Sequence, residues 1–223
     1  MDLRPAQPAL PVLRRARELG LLGPGPVAGH LSHAGAFARA VAAAGVPAPA
    51  RFVDLGSGGG VPGLVLALLW PDSTAVLLDA GARRVQFLVE AVSELGLGAR
   101  VEVAHGRAED LGRGPLRGGA DLVTARGFAA PPVTAECAVP LLRAGGLLAV
   151  AEPPIPDPSR WPPGPLTALG LEVVLLTAEP AICVLRLDAP APDRFPRRVG
   201  VPGKRPLWAP DGVPRQPGPC EVT

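Results

Sequence analysis

The segment best equipped for chemistry is Asp54-Leu55-Gly56-Ser57-Gly58-Gly59-Gly60-Val61-Pro62-Gly63, which closes a short apolar run and opens a helical one. Gly58, Gly60 and Gly63 satisfy G-x-G-x-x-G, the spacing that lets a backbone close on a dinucleotide. Charge argues against that ligand. A loop that wraps a pyrophosphate against a helix N-terminus is opposed by a carboxylate just before it, and Asp54 is such a carboxylate. S-adenosylmethionine carries a sulfonium and an ammonium instead, and both welcome the acid. The candidate cofactor residues here are Asp54, Gly56, Ser57, Gly58 and Gly60, with Asp54 expected to hold the amino-acid end directly or through water.

Two further loops fall in step with the first. The next apolar run ends at Asp79-Ala80, where an acid can accept both ribose hydroxyls. One run later, His105-Gly106-Arg107-Ala108-Glu109-Asp110 offers amides and carboxylates that can read an adenine edge. Three such signals in register favour a cofactor site over tight turns and helix caps.

These residues need elements to position them. Candidate strands are Phe52 to Leu55, Thr74 to Leu78, Val101 to Ala104, Asp121 to Ala125, Leu147 to Ala151, Leu171 to Thr177 and Ala181 to Leu187. Candidate helices are Pro62 to Trp70, Ala82 to Leu95 and Pro132 to Leu142. Alternation of this kind predicts a mostly parallel sheet covered on both faces. The last two strands are separated only by Ala178-Glu179-Pro180, which suits a hairpin, so the sheet is expected to end in an antiparallel pair.

The domain limits expected are 1–49 for an Ala-rich helical cap, 50–189 for the sheet domain and 190–223 for a Pro-rich basic tail. Glu152 to Pro165, with seven prolines, and everything after Asp188 are expected to be loops or extended arms. Between Arg194 and Arg215 lie six basic residues against Asp211 alone. Such an arm suits phosphate, and removing residues 194–223 is expected to weaken RNA binding while sparing cofactor affinity.

Composition excludes several classes. The chain has 223 residues, 28 Gly and 30 Pro, but 48% hydrophobic residues and a net charge of +2 oppose disorder. Its apolar runs are too short for a membrane span. The N-terminus lacks a targeting pattern, and the three cysteines suggest neither a disulfide framework nor zinc, so a cytoplasmic setting is expected. His30 and His33 are half a metal site at most, with no third ligand nearby; they are read as a packed or capping pair, and no metal is expected.

After the fourth strand the chain reads Thr124-Ala125-Arg126-Gly127-Phe128-Ala129, without the Asn/Asp-Pro-Pro-aromatic motif of exocyclic-amine methylation. No cysteine is placed to attack a pyrimidine. The acceptor is therefore expected to be nucleophilic already.

Taken together, Asp54 to Gly63, Phe87-Leu88, His105 to Glu109, Val123 to Phe128 and the tail Phe195-Pro-Arg-Arg-Val-Gly-Val-Pro-Gly-Lys-Arg-Pro-Leu207 resemble the bacterial 16S ribosomal RNA guanine-N7 methyltransferase family, glucose-inhibited division protein B. The resemblance covers roughly residues 27 to 151 and 195 to 207. It implies an α/β, Rossmann-like class I S-adenosylmethionine-dependent methyltransferase fold: a mostly parallel seven-stranded sheet with an antiparallel last strand and an N-terminal helical extension. It implies S-adenosylmethionine as cofactor, S-adenosylhomocysteine as product, and 16S ribosomal RNA or the small subunit as partner. By that resemblance Arg126 faces the substrate as the catalytic candidate, and Arg197, Arg198, Lys204 and Arg205 belong to the RNA-binding tail. An ion pair of Arg126 with Asp121 or Glu136 is the competing reading.

The chain departs from the family where substrate is expected. Gly23 to Gly29 stands in place of an Asn-Leu-Thr segment, the usual His-x-x-Asp-Ser reads His30-Leu-Ser-His33-Ala34, and Lys-Gly after the fifth strand is replaced by Glu152-Pro153. Alternatives are a divergent paralogue that methylates another RNA or a small molecule, and a non-catalytic RNA-binding or assembly protein. Nothing demands more than a monomer.

Overall fold

The computed structural model describes residues 2–209. Its centre is a seven-stranded sheet in the order β3-β2-β1-β4-β5-β7-β6. The strands are β1 (Arg51–Leu55), β2 (Thr74–Asp79), β3 (Val101–His105), β4 (Ala120–Ala125), β5 (Leu142–Ala151), β6 (Leu171–Leu176) and β7 (Ile182–Leu187). The first five pair in parallel, and β7 runs antiparallel to both β5 and β6. The alternating pattern, the parallel sheet and the terminal hairpin are thus as expected.

Period-two alternation decides which side chain enters which layer. Phe52, Leu77, Leu122 and Leu147 pack on one face with α1 (Ala9–Glu18), α2 (Val27–Ala43), α3 (Gly63–Leu69) and α4 (Ala82–Glu94). Val53, Leu55, Leu78, Val123 and Leu148 pack on the other with α5 (Ala108–Leu111), α6 (Pro131–Ala138) and α7 (Pro163–Leu169). The N-terminal helices therefore share a core with the sheet: Phe37, Ala38 and Val41 of α2 lie in the same cluster as Phe52 and Leu64.

Three expectations need correction. The helix ending at Leu142 instead stops at Ala138, passes through a 3-10 turn at Val139–Leu141, and gives way to β5 at Leu142. Glu152 to Pro165 is not all loop, because α7 begins at Pro163. A helix tolerates proline in its first turn, where the missing N–H has no partner to lose, and Gly170 closes this one in the left-handed region at φ 77°. Finally, residues 190–209 are docked. Trp208 is fully buried, Arg113 donates to the Pro196 carbonyl and Arg117 to that of Phe195, and α8 (Val201–Lys204) sits against α6.

Burying one aromatic side chain contributes about 1.5–3 kcal/mol, against a typical domain stability of about 5–15 kcal/mol. Deleting residues 194–223 would therefore perturb folding. Arg215, Asp211 and Cys220 lie outside the described residues. Among the described residues, no helix is long and apolar enough to cross a membrane.

Candidate functional site

Register brings the ends of three strands together. Leu55 pairs with Leu78 on one side and Ala125 on the other, so the loops after β1, β2 and β4 open at one edge. Parallel α/β sheets bind ligands at this carboxyl edge. A cavity of about 580 Å³ lies there, within the usual range for small-molecule sites. Gly56 to Gly59, Asp79, Ala80 and Gly106 to Glu109 line it, and Leu21, Leu22 and Gly23 form a wall contributed by the α1–α2 connection.

The first loop needs its glycines. Gly56, Gly58 and Gly60 have φ of 73°, 53° and 86°, the left-handed region that side chains avoid. Gly63 has another reason, because a Cβ there would stand 2.5 Å from Asp54 Oδ2. Asp79 ties the loops to each other: its Oδ2 accepts from the Gly58 amide at 3.0 Å, and its Oδ1 accepts from the Gly81 amide at 2.8 Å and from Arg84 Nε at 2.7 Å. Carboxylate oxygens hold more than one acceptor site, so Asp79 can still take a ribose hydroxyl from the cavity it lines.

Asp54 is placed differently from the expectation. Its carboxylate is buried beneath the loop and does not line the cavity, whereas it was expected to hold the cofactor's amino-acid end directly or through water. Oδ2 accepts from the Gly63 amide at 3.0 Å and Oδ1 from Thr124 Oγ1 at 2.7 Å, so Asp54 fastens β1 to α3 and β4. Gly60 also stays off the wall; its role is the turn, where its amide donates to the Ser57 carbonyl at 2.7 Å. Ala80 and Ala108 line the cavity, and Glu109 does so while accepting from the Gly200 amide at 3.0 Å, which joins the expected adenine loop to the tail.

Burial pushes the Asp54 carboxyl up to about 6, against which Thr124, Ser57 and the Gly63 amide pull it down. A value raised above the unfolded 3.8 means that the folded state binds the proton more tightly. The resulting stability is present below pH about 4 and is lost as pH rises through about 6. The expected result is a melting temperature that falls over that interval relative to Asp54→Asn, a differential of about 3 kcal/mol on complete titration. Parallel pH profiles of the two chains would refute it.

Arg126 stands between two cavities. It lines the first and also a second of about 360 Å³, bounded by His33, Gly127, Phe128, Thr134, Glu152 and Arg160 among others. The competing ion pairs do not form: Asp121 pairs with Arg143, and Glu136 pairs with Arg197. Instead Arg126 Nη2 donates to His30 Nδ1 at 2.7 Å, which leaves the Nε2 hydrogen to face the Gly23 carbonyl at 3.2 Å. Arg126 Nη1 is buried without a partner. A buried donor of this kind is costly until a ligand supplies an acceptor.

Burial and the Arg126 charge lower the pKa of His30, and the same two causes with His30 bring His33 down to about 4. Both rings are neutral near pH 7, as the acceptor role of His30 requires. The sequence reading of these histidines as a packed or capping pair thus missed a chain of contacts from the Gly23 wall through His30 to Arg126, the last two 96 residues apart. No local pattern announces it.

The tail is divided. Arg197 was expected to contact RNA, but its Nε and Nη2 donate to the fully buried Glu136 carboxylate at 2.8 and 2.6 Å, and Nη2 also donates to the Arg205 carbonyl. It is a tether. Arg198, Lys204 and Arg205 are exposed, as phosphate contacts need.

Comparison with known proteins agrees with this arrangement. A family model described as GidB, rRNA small subunit methyltransferase G, matches residues 37–151. The chain is 38% identical over 167 residues to ribosomal RNA small subunit methyltransferase G of Desulfitobacterium hafniense, covering 70% of each. It is 37% identical over 191 residues to the protein of that name from Symbiobacterium thermophilum, covering 79% of this chain and 78% of the relative. In fold it is similar to the SAH-bound Podospora anserina methyltransferase PaMTH1, with TM-score 0.59 and 16% identity over 82% of this chain and 88% of that one. The family match spans half the chain and includes the glycine loop, Asp79 and Arg126, and by it this chain belongs to the rRNA small subunit methyltransferase G family.

Proposed function

We propose that this protein transfers the methyl group of S-adenosylmethionine to N7 of a guanine in 16S ribosomal RNA, acting as a monomer in the cytoplasm on the small subunit. The observation that carries the reading is Arg126, which lines both of two adjoining cavities and whose Nη1 is buried without a partner. One cavity has the loops of a nucleoside cofactor, and the other is open to a base.

The residues present fit the cofactor. Asp79 suits the ribose, the backbone of Gly56 to Gly59 permits close approach, and Ala80 with Ala108 leaves room beside the adenine loop. When bound, S-adenosylmethionine supplies an electrophilic methyl whose bond to sulfur breaks as its bond to N7 forms.

The chain's own work is positioning. Guanine N7 offers an in-plane lone pair and carries no proton there, so no general base is needed and none is assigned. Holding the base and the methyl in line is worth up to about 7–11 kcal/mol in well-oriented cases. Arg126 can donate to guanine O6, next to N7 on the same edge, and a donor fixed there holds the base in line with the methyl. Bonding to N7 itself would block the reaction, so O6 is the productive partner.

The test is transfer of labelled methyl from S-adenosylmethionine to unmethylated small subunits, followed by nuclease digestion and mass identification. The expected product is 7-methylguanosine. A different methylated nucleoside, or methyl transfer to a small molecule without RNA, would favour the paralogue, and cofactor and RNA binding without transfer would favour an assembly role.

A further inference from the structure

The second cavity holds a feature for which the reaction as described has no use. Glu152 directly follows β5 with its side chain only 1% exposed, and such a carboxylate needs partners. It has two. Trp161 Nε1 donates to Oε1 at 3.1 Å, and Arg160 Nη1 donates to Oε2. Arg160 is held from behind as well, since its carbonyl accepts from Trp208 Nε1 at 3.0 Å and Trp208 lies beside Trp161, ring centres 6.5 Å apart.

Its guanidinium therefore has a fixed place. One edge is taken by Glu152, and among the described residues Nε and Nη2 have no hydrogen-bond partner, while the side chain remains 23% exposed and lines the cavity. Arg160 lines the second cavity and not the first, whereas Arg126 lines both. Of the two cations on the base site, Arg126 is thus the one next to the cofactor cavity and Arg160 the one confined to the base site.

That placement limits what Arg160 can touch. With N7 and O6 turned toward Arg126 and the cofactor, the far edge of the guanine presents N1–H and the N2 amino group. Both are donors, and a guanidinium has only donors to offer. The acceptors that remain on the nucleotide are N3, the ribose oxygens and the phosphate, and of these the phosphate alone is charged and matches a guanidinium fork.

We propose that Arg160 is the phosphate anchor of the target nucleotide and that Glu152 is its positioning residue. The inference rests on the guanine-N7 reading for the orientation of the base. Phosphate contacts set register without reading sequence, so this one fixes where the guanine enters rather than which base is accepted.

The experiment is binding of unmethylated small subunits by the full chain over a range of salt, with S-adenosylhomocysteine affinity measured alongside. Loss of one phosphate contact reduces the slope of log K against log salt by about 0.7–0.9. Arg160→Ala is expected to show that reduction and at least tenfold weaker binding, with cofactor affinity unchanged. Arg160→Lys should keep the slope and lose part of the affinity. Glu152→Gln should keep the slope too, while raising KM for subunits and leaving kcat near its original value.

An Arg160→Ala chain that binds cofactor normally and retains the original slope would overturn the proposal. Should the unaltered chain form 7-methylguanosine while Arg160→Ala keeps its slope, the anchor fails and the reaction stands. Should no 7-methylguanosine form although the slope depends on Arg160, the anchor stands and the reaction assignment fails. Absence of salt-dependent binding by the unaltered chain would sink both.

Discussion

Replacing Asp79 by alanine is expected to weaken S-adenosylhomocysteine binding at least 100-fold, measured by calorimetric titration. Asp79 accepts from Gly58, Gly81 and Arg84, so its loss frees three donors and the glycine loop with them. Hydrogen bonds to a charged group contribute about 1.5–3 kcal/mol each, and two of that size already exceed the stated loss. The cavity-facing acceptor for ribose disappears in the same step. Asp79→Asn separates the two effects, because it keeps one acceptor oxygen and the side-chain volume. It should fall between the original chain and Asp79→Ala. Equal affinity in all three would show that this acid neither shapes the loop nor meets the cofactor.

Arg126→Ala is expected to lower methyl transfer to small subunits at least 100-fold at saturating cofactor, with little change in melting temperature. Losing the donor that holds the base in line costs about 10²-fold in rate, the scale of a misplacement of about 1 Å. Arg126→Lys should recover little of this, since an ammonium cannot both bond His30 Nδ1 and extend a second donor in the geometry of a fork. His30→Ala should produce a smaller loss, because it removes the support and keeps the guanidinium. Transfer rates that match the original chain in Arg126→Ala would displace Arg126 from the reaction.

Much of the fold was legible because the strands are short runs bounded by breakers. Phe52 to Leu55, Thr74 to Leu78 and Asp121 to Ala125 appear in the structure extended by no more than a residue at either end. The prolines misled where they cluster: those at 163 and 165 read as loop, yet they occupy the first turn of α7. The Gly-Gly pair at 145 and 146 hid the start of β5, where a register shift against β4 accommodates it.

In the site, what could be read were the residues whose requirement is local. A glycine at positive φ, an acid at a strand end and a loop of fixed length each leave a mark within a few positions, and so the loops that line the first cavity could be read at Gly56 to Gly58, Asp79-Ala80 and Ala108-Glu109. The direction of a side chain leaves none. Asp54 sits in the right loop but turns inward to Gly63 and Thr124, and Arg197 sits in the right tail but turns inward to Glu136.

The sequence by itself determined the parallel sheet, the loops that line the first cavity and the family resemblance, all of which follow from short-range pattern. Only the tertiary structure decided which charges face a cavity and which are spent on one another. Arg126 meets His30, Arg197 meets Glu136, and Trp208 meets Arg160 across separations of 96, 61 and 48 residues. Packing sets such pairings by closing strands and helices in three dimensions, and neither side chain's neighbours in the chain carry their record.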